Sequence, residues 1–133
     1  MSRRKVREII LQIIFQHDFQ RDEFKKYAFK YLNDQPLSKS DKVFSENFLD
    51  CFIKNLKIVD EKIIKNLKGW SIERLSKIDL AILRLACYEI MFEDEIPTNV
   101  SINEAVELAK KYTEVESRKF INGVLDAISH ESQ

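Results

Sequence analysis

Apolar residues recur along most of this chain at intervals of three and four, the spacing of one face of an α-helix. Val6, Ile9, Ile10, Ile13 and Ile14 set such a face and predict a first helix over residues 3–19, with Phe15 and Phe19 widening it. Phe24, Tyr27, Ala28, Tyr31 and Leu32 fall at i, i+3, i+4, i+7 and i+8 and predict a short amphipathic helix. Pro36 disfavours helical backbone at the residue before it, so residues 33–40 read as a loop. From 41 to 68, Phe44, Phe48, Phe52, Leu56, Val59, Ile63 and Leu67 mark a helix with Gly69 where a C-terminal cap belongs. At 1.5 Å per residue it would be about 40 Å long, the spine of the domain. Its lysines, Lys54, Lys57, Lys62, Lys65 and Lys68, are interrupted by Asp60 and Glu61 and read as a solvated face.

The second half carries stronger punctuation. Ser71 can cap a brief turn running to Leu75, and Ser76-Lys77-Ile78-Asp79 reads as a further capping signal. Ile78, Ala81, Ile82, Leu85 and Met91 then predict an almost wholly apolar, central helix to residue 92, ended by Glu93, Asp94, Glu95 and Pro97. Ser101-Ile102-Asn103-Glu104 has the form of a capping box, followed by Ala105, Val106, Leu108, Ala109 and Tyr112. A last helix is expected after Ser117, packing through Phe120, Ile121, Val124, Leu125 and Ile128. The expectation is an all-α fold of about seven helices, one of them a single turn or so.

Composition supports that expectation. Two glycines and two prolines in 133 residues are too few for a sheet protein with many tight turns. One domain is the economical reading at this length, with a core that needs no disulfide or metal. No secretory or membrane-spanning segment is read, which places the protein in the cytoplasm without membrane partners. Cys51 and Cys87 lack CxxC spacing and read as small buried thiols; His17 and His130 have no ligand partners nearby, so neither metal nor cofactor is expected. No catalytic constellation appears either: there is no phosphate-cradling glycine loop and no Cys/His or Ser/His nucleophile pair. Glu104 and Glu107 share a helix, but Glu104 is assigned to the cap.

Charge alters the picture. Acidic and basic residues balance at 22 each, yet Arg3, Arg4, Lys5 and Arg7 crowd into five positions. A helix start carries partial positive charge and favours acids, so these cations sit at the wrong end. With Ser117 as a cap, Arg118 and Lys119 would repeat the anomaly. Local rules are broken where function is expected, and exposed N–H groups beside Arg and Lys make a phosphate-binding arrangement. Four cations suit a nucleic-acid backbone better than one small phosphate, although a charged terminus also serves solubility. Phe120 offers either a ring for stacking an unpaired base or a core contact with Val124; Asn122 offers either a base-edge contact or a local backbone bond. Gly123 inside a helix implies close packing or backbone approach.

Four ordered segments carry a family resemblance: SRRKVREIILQIIFQHDF, WSIERLSKIDLAILRLACYEI, IPTNVSINEAVELAKKY and KFINGVLDAI. Together they resemble the NusB family of bacterial transcription antitermination factors over nearly the whole chain. INEAVELAK followed at this distance by KFINGVLD is the most specific part. The resemblance implies two packed helical subdomains, about 1–69 and 70–133, and a binding protein rather than an enzyme. It implies binding of boxA-type single-stranded RNA in ribosomal RNA leaders, cooperatively with NusE, a small-subunit ribosomal protein, within an antitermination complex on RNA polymerase.

Carried onto this chain, the family's RNA-contacting helix falls on Arg3, Arg4, Lys5 and Arg7, with Phe15 and Gln16 further along. Its second RNA-contacting region falls on Lys119, Phe120 and Asn122. Glu73, Arg74 and Asp79 are the candidates for contact with NusE, and Glu116 precedes the last RNA-contacting region. Phe15 stands where relatives carry tyrosine, which removes a hydroxyl contact. The alternatives are a protein-binding helical module or homodimer that buries the same basic helix without specific RNA binding, and a detached relative of the NusB-like domain that fronts some ribosomal RNA cytosine methyltransferases.

Overall fold

A computed structural model describes residues 2–131 as six α-helices with no strand among them. The helices are α1 Arg3–Phe15, α2 Phe24–Asn33, α3 Lys39–Lys65, α4 Lys77–Phe92, α5 Thr98–Tyr112 and α6 Val115–Glu131. Single 3-10 turns occupy His17–Phe19, Arg21–Glu23 and Ile72–Arg74, the last being the brief turn expected after Ser71. The chain divides into two compact units, one up to Asn55 and one from Leu56 on. The divide falls inside α3, not near residue 69, because the second half of that helix bonds to later elements. Asp60 pairs with Arg84 of α4, and Lys62 with Glu131 of α6 at 2.8 Å.

In the first unit, Val6, Ile10, Leu11, Ile13 and Ile14 of α1 are buried, as are Phe24, Ala28 and Leu32 of α2 and Phe48, Leu49 and Phe52 of α3. Most of them belong to the periodic faces that predicted the helices; Leu11 and Leu49 join the core from outside those patterns. Tyr31 Oη donates to Gln12 Oε1 at 2.6 Å and ties α2 to α1. The first helix is shorter than expected: the Gln16 N–H turns back to Ile13 O at 3.1 Å, and the chain tightens into a 3-10 turn. Phe19 therefore leaves the buried face and is 59% exposed, its ring 5.8 Å from Phe15.

In the second unit every residue of α4 from Asp79 to Glu89 is buried, and α5 and α6 pack on it. Ser76 caps α4 as its sequence implied, its hydroxyl accepting the Asp79 N–H at 3.1 Å. Other terminal signals are overturned. α3 stops at Lys65, where the Asn66 and Leu67 N–H groups reach back to Ile63 O and Ile64 O; Lys68 (φ 44°) and Gly69 (φ 92°) then turn left-handed. The capping box at Ser101 is not one: α5 already starts at Thr98, and Ser101, 2% exposed, donates from its hydroxyl to Glu89 Oε1 at 2.9 Å. A buried carboxylate requires donors, and that need outweighs local capping preference. Nor does Ser117 cap α6, which begins at Val115; the Ser117 hydroxyl donates to Asp79 Oδ2 at 3.1 Å. Two smaller expectations also fail. A Cβ at Gly123 would meet nothing within 4 Å, so close packing does not explain this glycine, and Cys51 is exposed while only Cys87 is buried.

Candidate nucleic-acid interface

The start of α1 is built to stay ordered while presenting charge. Ser2 accepts the Lys5 N–H on its side chain at 3.3 Å, satisfying one of the unpaired donors at the helix end. Val6 is fully buried four residues later and fixes the first turn to the core. Around that anchor Arg3, Arg4 and Lys5 are exposed and Arg7 is half-buried, with no acidic residue in the first turn. The Arg3 guanidinium lies 3.7 Å from the centre of the Phe44 ring, a cation–π contact that orders it without neutralising its charge. Lys5 reaches Glu8 only at 3.9 Å, in a solvent-exposed pair of small energetic weight. Phe15 and Gln16, half-buried, lie at the far end of the helix, about 18 Å along its axis.

In the second unit the expected residues lie on α6. Lys119 and Asn122 are exposed and Phe120 is half-buried. Arg118 and Lys119 occupy the fourth and fifth positions of the helix, and Glu116 stands in its first turn. The electrostatic anomaly inferred for this helix start is therefore withdrawn; α1 alone of the two keeps it. Phe120 meets Trp70 edge to face, ring centres 5.9 Å apart. Trp70 is 58% exposed, held out by the left-handed turn at Lys68 and Gly69. Sequence reading passed over Trp70 as a site residue; the signal was a large aromatic directly after a helix-ending glycine, where no periodic face claims it.

Two clefts share these rings. One, of about 320 Å³, runs from Trp70 and Phe120 to Arg74, Asp79 and Ser117. The other, of about 300 Å³, is edged by Lys68 and Lys119, and opens over Gly123, where the missing side chain leaves room. Phe120 thus belongs neither wholly to the core nor wholly to solvent: it forms a wall between the two clefts. Glu73 and Arg74 are exposed on the 3-10 turn, but Asp79 is only 8% exposed and bonded to Ser117. Asp79 thus offers much less surface than Glu73 and Arg74 do. Among the described residues no group of His, Cys, Asp or Glu could hold a metal ion, and no helix is long and apolar enough to cross a membrane.

A helical scaffold that displays an arginine-rich helix start and an aromatic cleft edged by lysines defines an all-α binding protein suited to a polyanionic chain. Sequence comparison specifies the family. The family model "NusB family" matches residues 4–130, and the chain belongs to that family, whose members are binding factors rather than enzymes. It is similar to the transcription antitermination protein NusB of Clostridium novyi, 42% identical over 127 residues, 94% of this chain and 96% of that protein. Among solved structures, NusB of T. maritima superimposes with a TM-score of 0.91 at 39% identity, over 98% of this chain and 92% of that one. A crystal structure described as antitermination factors NusB and NusE in complex with dsRNA shares the fold at a TM-score of 0.84 and 23% identity, over 98% of this chain and 99% of that one.

Proposed function

We propose that this protein is an RNA-binding transcription antitermination factor that takes up boxA-type single-stranded RNA together with NusE and joins an antitermination complex on RNA polymerase in the cytoplasm. The observation that carries this reading is the capped, core-anchored start of α1, where Arg3, Arg4, Lys5 and Arg7 gather without an acidic residue in the first turn. Cations there add to the helix dipole instead of opposing it, which is unfavourable unless an anion is bound. Family membership supports the assignment, since the similar proteins bear the name transcription antitermination protein. The α1 cations are proposed to contact phosphates and, in the second unit, Phe120 and Asn122 to meet bases; Glu73 and Arg74 are the exposed polar groups proposed for NusE.

The test is titration of labelled boxA RNA and a scrambled RNA with the protein, alone and with NusE, across a salt series. Preferential boxA binding, tightened by NusE and weakened by salt, is expected. Equal, weak binding to both RNAs in every condition would overturn the reading and leave a protein-binding helical module or homodimer.

A further inference from the structure

The helix α2 turns a face to solvent that its core contacts do not explain. Phe24, Ala28 and Leu32 are buried along one side. On the other, Lys26 and Lys30 are exposed one turn apart, and neither forms an ion pair among the described residues. Like charges at i and i+4 repel, so the pair costs free energy unless an anion lies over it. No acidic residue lies within α2, and its first turn, where acids are favoured, holds Lys25 and Lys26. Glu23 stands just before the helix and makes no side-chain cap bond. Asp50 of α3 neutralises Lys25 at 3.4 Å but leaves Lys26 and Lys30 as they are.

Beside these lysines runs a row of two half-buried tyrosines, Tyr27 and Tyr31, with ring centres 5.9 Å apart. Tyr31 is fixed by its 2.6 Å bond to Gln12 of α1. Gln12 and Lys5 are seven residues apart, just short of two full turns, so they share an exposed line of α1 about 10 Å long. Tyr27 has no such bond; burial and then the neighbouring Tyr31 push its phenol above the ordinary value, so its hydroxyl stays a donor. A strip thus leads from Lys5 at the basic start of α1, through Gln12 and Tyr31, to Tyr27 and the lysines of α2. None of the exposed large apolar residues lies on α2, so this face suits a polyanion better than an apolar protein surface.

Aromatic rings beside unneutralised cations hold single-stranded nucleic acid without sequence choice, because every base has a face to stack and every nucleotide a phosphate. We propose that the outer face of α2 is a second RNA-binding surface, which takes single-stranded RNA flanking the boxA-type element, with Lys26 and Lys30 on phosphates and Tyr27 stacked on a base. It rests on the RNA-binding reading above and lengthens the bound tract beyond α1.

The test compares labelled boxA RNA with the same RNA carrying an octauridylate tail at its 5′ or its 3′ end, each titrated with the whole protein across a salt series. One tailed RNA should bind about tenfold more tightly than boxA RNA alone, the scale of one base stacked on an aromatic ring. Its slope of log K against log salt should be steeper by about 1.4, for two phosphates at about 0.7 each. Lys26→Gln/Lys30→Gln should remove the added slope. Tyr27→Leu, which keeps apolar cover, should remove most of the added affinity and none of the added slope. Both variants should bind boxA RNA alone as the unaltered protein does. Tyr27→Phe keeps the ring and should keep the gain, and the lysine variant tests the surface if Tyr27→Leu fails to fold. Equal binding of tailed and untailed RNA by the unaltered protein would overturn the α2 surface. So would a tail gain that survives in the lysine variant, whether or not that variant loses NusE. If boxA RNA binds with its salt dependence intact and neither tail adds anything, only the α2 surface falls; if no RNA binds at any salt, the RNA-binding reading falls with it.

Discussion

Arg84 of α4 grips Asp60 of α3 with a two-pronged pair, Nε to Oδ1 and Nη2 to Oδ2, both at 2.9 Å. The guanidinium matches a carboxylate in this geometry, and Arg84 is only 6% exposed. Asp60→Ala takes both of these bonds from a buried cation and should cost about 3 kcal/mol of stability, whereas Arg84→Met removes the charge together with its need for them and should cost less. Urea unfolding of both variants checks the order.

Ser101 separates a cap from a core contact. Ser101→Ala should cost about 1–2 kcal/mol, because Glu89, 2% exposed, loses a donor. Ser101→Asp would be harmless at a helix cap. In the core it sets a second carboxylate against Glu89 and should destabilise more than alanine does, as thermal melts at neutral pH would show.

Glu131 accepts from Lys62 and Asn66, and these bonds hold its carboxyl below the ordinary value despite the opposing effect of burial. A depressed carboxyl stabilises the fold above its unfolded-state pKa, and that contribution is lost as pH falls through the folded-state value. Glu131→Gln should therefore lower Tm at neutral pH, and the gap to the unaltered protein should close as the pH is taken below the ordinary carboxylate range.

The two thiols should differ in reactivity. Cys51 is exposed, whereas burial pushes the Cys87 thiol up to about 12; Asp60 and Glu131 add to that rise and Lys62 opposes it. Since the thiolate is the nucleophile, a disulfide reagent at pH 8 should label one cysteine quickly in the folded protein and the second only after denaturation. Cys51→Ser should remove the fast phase.

Charge at the start of α1 should be visible in the salt dependence of RNA binding. Each cation that neutralises a phosphate of a single strand contributes about 0.7 to the slope of log K against log salt. An Arg4→Ala/Arg7→Ala double variant should flatten that slope by about 1.4 with helicity retained, because the buried Val6 and Ile10 anchor the helix. An unchanged slope would remove these two residues from the interface.

Helix content was legible in the chain because apolar periodicity and core burial are the same physical fact seen twice. Phe24, Ala28 and Leu32 fall at helical spacing and all are buried in α2. The basic helix start was legible for a related reason: it contradicts the dipole rule, and local electrostatics needs no tertiary knowledge. Helix ends followed sequence only where local bonding decides them. Ser76 caps α4 through a bond made inside the helix's own first turn. Ser101 and Ser117 carry the same local signal, yet their hydroxyls bond to carboxylates 12 and 38 residues away, on α4. Tertiary structure made those choices, since a buried carboxylate without a donor costs more than a missing cap. The same distinction governs the candidate site. Sequence alone determined which residues could meet RNA; only the fold buried Asp79 and stood Trp70 against Phe120, because both depend on how α6 packs beside the chain that leads into α4.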